Sequence, residues 1–78
     1  MTNHSPTDHQ AAVGRCVRGL RDVLRQAQEE VAVALHDLDA GQPGAAVGAL
    51  LAAEPLLDRA KRLHGAAVEL HRLSSEAA

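Results

Sequence analysis

Gly41-Gln42-Pro43-Gly44 is the only strong reversal signal in the chain, and its reading decides the fold. Glycine ends a helix in the left-handed conformation without steric penalty, while proline cannot extend that helix but is preorganised to start another. No proline interrupts the chain from Thr7 to Ala40. Upstream, Ser5-Pro6-Thr7-Asp8 carries a helix-start pattern: a serine cap, a proline for the first helical position and an acid for the first turn. The expected organisation is a disordered tail over residues 1–5, a helical hairpin over 6–74 and a frayed end over 75–78. Within the hairpin, helices are expected over 6–40 and 43–74, with the turn at 41–44. Two helices of about 30 residues, each about 45 Å long, joined by so short a turn must run antiparallel.

The apolar spacing on both sides of the turn fits. Val13, Val17, Leu20, Leu24, Ala27, Val31, Ala34 and Leu38 recur at alternating steps of four and three, as do Ala46, Ala49, Ala53, Leu56, Ala60, Leu63, Ala67 and Leu70. Such spacing is a heptad seam. Matched across the turn, the two seams predict the layers Val17–Leu70, Leu20–Ala67, Leu24–Leu63, Ala27–Ala60, Val31–Leu56, Ala34–Ala53 and Leu38–Ala49. Pro55 interrupts the second helix, where proline costs about 3 kcal/mol. It falls on the solvated side, so a kink is expected there; a third helix starting at Pro55 is the competing reading.

A seam this thin, with two Ala–Ala layers, does not stabilise a short hairpin by itself. Apolar residues beside it indicate what does. Leu35, Leu50 and Leu57, with Val47 and Leu51, flank the seam near the turn, and Cys16, Val23, Ala66 and Leu73 flank it near the open end. Exposed strips of this kind mark interfaces. The expected assembly is a homodimeric four-helix bundle whose interface uses Cys16, Val23, Leu35, Leu50, Leu57 and Leu73. Charge points the same way. All eight Lys and Arg fall between Arg15 and Arg25 or between Arg59 and Arg72, whereas the turn half, Gln28 to Leu57, holds Glu29, Glu30, Asp37, Asp39 and Glu54 with no cation. Antiparallel association would set each basic half beside an acidic one.

Composition excludes more than it grants. The 78 residues contain no Phe, Tyr, Trp or Ile, which removes the aromatic walls of small-molecule pockets and base-stacking platforms, and makes a sheet protein untenable. One cysteine cannot form a disulfide within the chain. The first ten residues lack a signal-peptide pattern, and the longest apolar or glycine run, Gly44 to Ala53, is far short of a membrane span. The expected location is the cytoplasm, with no membrane partner. Seven arginines against one lysine, with 16 alanines, suggest a GC-rich bacterial source.

Chemistry has little footing. No nucleophile elbow, phosphate loop or dinucleotide fingerprint occurs, and Glu29 and Glu30 diverge on a helix rather than pair, so no enzyme and no cofactor are expected. No two histidines have the i, i+4 spacing of a helical zinc site. His64 and His71 lie about 10.5 Å apart along a helix and on the flank opposite Cys16, so Cys16, His64 and His71 could meet on a metal only between chains. Arg15, Arg18, Arg25, Lys61, Arg62 and Arg72 face outward at the open end. They read either as solvated faces with local pairs such as Arg18–Asp22 and Arg25–Glu29, or as a grip for nucleic acid or an acidic protein. The run Gly41, Ala53, Leu57, Ala60 is similar to part of a tetratricopeptide repeat, but one partial repeat without its aromatic positions implies no solenoid and carries no functional residue across. The expected function is a small non-enzymatic helical module that self-associates and binds a protein partner. A nucleic-acid-associated regulator and a metal-responsive protein with an inter-chain Cys/His site are the alternatives.

Overall fold

A computed structural model describes residues 6–77 of the chain. Two helices make up the hairpin, α1 over Pro6–Asp39 and α2 over Pro43–Ala77. The expected tail, residues 1–5, lies outside the described residues. The helices pack antiparallel along their whole length in a rod measuring 61 × 15 × 14 Å. Among the described residues no helix is long and apolar enough to cross a membrane.

The reversal is built from three residues, Ala40 to Gln42. Gly41 takes φ +76°, a conformation that costs an L side chain about 1–2 kcal/mol. Its N–H donates to the Leu38 carbonyl at 3.0 Å, and the Gln42 N–H donates to the Asp37 carbonyl at 2.8 Å. This bond pair is the Schellman motif, which satisfies carbonyls that the end of α1 would otherwise leave orphaned. On the far side the Ala46 N–H donates to the Gln42 carbonyl at 3.1 Å. Gln42 is therefore the N-cap of α2 and Pro43 its first residue, where a missing N–H costs nothing. The turn thus opens one residue earlier than expected, at Ala40, and is over by Gln42, while α2 starts at Pro43 as expected. At the other end α2 continues to Ala77, past the expected stop at Ser74.

α2 runs unbroken through Pro55. Proline deprives the Leu51 carbonyl of its helical donor. Leu51, Ala52, Glu54 and Pro55 are all exposed, so water can take the donor's place. The reading of a third helix beginning at Pro55 is overturned.

The seam of α2 is the one its spacing predicts: Ala46, Ala53 and Ala60 are buried, and Ala49, Leu56, Leu63, Ala67 and Leu70 are half-buried. That of α1 differs. Val13, Leu20, Ala27 and Ala34 face inward as expected, but the positions between them are Cys16, Val23, Glu30 and Asp37. Val17, Leu24, Val31 and Leu38, expected in the seam, are 42–53% exposed. Taken outward from the turn, the covered positions match as Asp37–Ala46, Ala34–Ala49, Glu30–Ala53, Ala27–Leu56, Val23–Ala60, Leu20–Leu63, Cys16–Ala67 and Val13–Leu70. A Leu63 methyl lies 3.5 Å from where a Cβ on Gly19 would stand, as this pairing requires. Leu63 thus faces Leu20 rather than Leu24, a shift of four residues along α1.

The turn explains the shift. The expected layers need a reversal centred between Pro43 and Gly44, yet Pro43 already occupies the first turn of α2, so the chain folds back around Gly41. The register that results also pairs large with small: Val23 against Ala60 and Leu56 against Ala27. Its cost is a sparse interior. Among the described residues, those buried are Val23 and five alanines, Ala27, Ala34, Ala46, Ala53 and Ala60, each 3–6% exposed.

Candidate functional site

Since α1 carries apolar residues at three adjacent heptad positions and spends only two of them on α2, the third becomes surface. Val17, Leu24, Val31 and Leu38 form a stripe along one flank of α1, with Leu35 beside it. In an antiparallel pair this flank adjoins the side of α2 that carries Val47, Leu50, Leu57, His64, Val68 and His71. Nine aliphatic side chains therefore share one broad face: Val17, Leu24, Val31, Leu35 and Leu38 from α1, and Val47, Leu50, Leu57 and Val68 from α2. Each is 42–57% exposed. Val17, Leu20 and Leu24 line a shallow depression of about 420 Å³ on this flank together with Arg21, Arg25 and Gln28. Leu51 borders this face one turn from Val47 on the outer side of α2, while the other exposed large aliphatics, Val33 and Leu73, lie on the opposite flank.

The six residues expected at an interface therefore divide. Leu35, Leu50 and Leu57 are exposed on the aliphatic face, and Leu73 is exposed on the opposite flank. Val23 is 3% exposed and Cys16 is half-buried. Val23 belongs to the contact between α1 and α2, so its expected place between chains is corrected: the shift in register turned it inward, with Cys16 half-buried on the same side of α1, and turned Val17, Leu24, Val31 and Leu38 outward.

All six cations of the expected basic patch, Arg15, Arg18, Arg25, Lys61, Arg62 and Arg72, are exposed. Their heptad positions distribute them around both helices rather than along one side. Arg21 pairs with Asp22 at 3.1 Å, and Arg72 with Glu69 at 3.0 Å. Asp22 thus takes its neighbour Arg21 in place of the expected Arg18, whose guanidinium lies back over Gly14. More than half of each paired side chain is exposed, so these pairs contribute little to stability.

The metal candidates are not gathered in the hairpin. Cys16 sits at the seam, while His64 and His71 are exposed on the flank of α2. His71 instead shares a depression of about 140 Å³ with His9, Gln10, Val13 and Ser74 at the open end. Spacing within a single helix could not have revealed that pair, which is formed across the two helices. Among the described residues no group of three or more His, Cys, Asp or Glu could hold a metal ion.

No protein-family model matches the chain, and neither a curated protein nor a solved structure matches it.

Proposed function

We propose that the chain is a small helical interaction module that works by binding rather than catalysis, and that its first partner is a second copy of itself. One observation carries this reading: the nine half-exposed aliphatic side chains on a single face of a hairpin whose own interior is one valine and five alanines. Monomeric soluble proteins rarely expose more than a few hundred Å² of contiguous apolar surface. Small helical chains with little core commonly draw their stability from association, and two hairpins joined through such a face make a four-helix bundle.

Sedimentation equilibrium over a range of loading concentrations tests the reading. The wild-type chain is expected to give the mass of two chains. Leu57→Glu removes a leucine and inserts a charge twice per dimer; since Leu57 is 53% exposed in the hairpin, about half of the roughly 1.5–3 kcal/mol of a fully buried leucine is lost at each copy, and association is expected to weaken at least about tenfold. Leu73→Glu, which alters an exposed leucine on the opposite flank, is expected to leave the mass unchanged. A wild-type chain that stays folded and monomeric at every concentration overturns the proposal.

A further inference from the structure

The aliphatic face is flanked by charge that is unevenly placed along its length. Glu54 lies toward the turn, and Lys61 lies one heptad further along α2 on the same side. Arg21 lies across from Lys61 on α1, where it borders the depression lined by Val17 and Leu24. Glu54 and Lys61 are exposed, and neither belongs to the Arg21–Asp22 or the Arg72–Glu69 pair. The midpoint between Glu54 and Lys61 falls at Leu57, seven residues being about 10.5 Å of helix.

Resting on self-association as proposed above, we infer that the second copy docks antiparallel, with the two-fold axis at Leu57 and Leu24, so that α2 lies along α2 and Glu54 of each copy meets Lys61 of the other. A two-fold axis at that point exchanges Glu54 with Lys61, and the same operation brings Val47 of one copy onto Val68 of the other. Leu35 and Leu50 fall against Val17. The interface is isologous and closes on itself, so it yields a dimer rather than a filament. A parallel arrangement would lay α2 of one copy along α1 of the other and set Lys61 beside Arg21, and it would stack two turn halves that hold Glu29, Glu30, Asp37, Asp39 and Glu54 with no cation. Like charges so placed disfavour that partner orientation. The area also suits a second copy. Nine side chains each about half exposed leave several hundred Å², the order of the roughly 800 Å² that one partner contributes to a stable interface.

Charge exchange provides the test. Glu54→Lys alone is expected to weaken self-association at least about tenfold at low salt, since its lysine then faces Lys61. Lys61→Glu alone is expected to do the same, since its carboxylate then faces Glu54. Mixed in equal amounts, the two variants carry opposite charges at both symmetry-related contacts. They are expected to form a heterodimer within about threefold of wild-type affinity. All the altered side chains are exposed, and circular dichroism of each variant verifies that the helices persist. If wild type is dimeric but either variant associates as well as wild type, or the mixture does not recover, this docking geometry is wrong while self-association stands. A monomeric wild type removes the reading on which both rest.

Discussion

A Val23→Asp chain is expected to lose its cooperative helical transition, with the helical circular dichroism largely gone at room temperature. Val23 is 3% exposed and faces Ala60, itself 6% exposed. A carboxylate placed there must surrender its hydration in a seam of alanine and leucine, and an unpaired buried charge costs about 3–5 kcal/mol. That is comparable to the whole stability a core of this size supplies. Leu24→Asp is the matched comparison, since it inserts the same charge one residue further on. Leu24 is 47% exposed, so its carboxylate keeps its hydration in the hairpin and acts chiefly on the outer face, where a second copy would dock. Thermal melts followed by circular dichroism should therefore rank Val23→Asp well below Leu24→Asp. The reverse order would restore the register in which Leu24 faces Leu63.

The second large effect is a gain. Ala67→Cys places a thiol in the layer of Cys16, the only cysteine of the natural chain. Under mild oxidation the two are expected to close within one chain. The loop they enclose is about 50 residues long, for which the entropy lost from the unfolded ensemble corresponds to about 4 kcal/mol of stabilisation. The readout is a faster-migrating monomer on non-reducing electrophoresis and a melting transition raised until reductant is added. Leu70→Cys lies one layer out, opposite Val13, and is expected to oxidise more slowly within the chain. If Leu70→Cys closes on Cys16 more readily than Ala67→Cys does, the layers are misassigned.

Much of this architecture is legible in the residue order, and the part that is not has a specific physical cause. The hairpin follows from Gly41 and Pro43, and the inner face of α2 follows from the spacing of Ala46 to Leu70, because α2 offers only one apolar seam of sufficient length. α1 is ambiguous. It places apolar side chains at three neighbouring heptad positions, occupied by Cys16 and Val23, by Val13, Leu20, Ala27 and Ala34, and by Val17, Leu24, Val31 and Leu38. Hydrophobicity favours the second and third sets together, since the first also contains Glu30 and Asp37. The structure pairs the first and second. Local hydrophobicity is outweighed here by where the chain can reverse, and Pro43 at the start of α2 fixes that point at Gly41. Once the seam is displaced, the outer face follows: Leu35, Leu50 and Leu57 remain surface residues, Val23 moves inside, and Val17, Leu24, Val31 and Leu38 emerge. The His9–His71 depression was beyond reach for a related reason, because it depends on the register between the helices at their open ends.

The claim on which the account turns is that one aliphatic face of the hairpin is covered by a second copy. Isotope-filtered nuclear Overhauser spectroscopy on a mixture of carbon-13-labelled and unlabelled chains addresses it without any substitution. Intermolecular cross-peaks are predicted from the methyl groups of Leu24, Val31, Leu50 and Leu57, including contacts between Val47 and Val68, while the methyls of Val23 show only contacts within their own chain. An absence of intermolecular cross-peaks, or cross-peaks arising instead from Val33 and Leu73 on the other side of the rod, would contradict it.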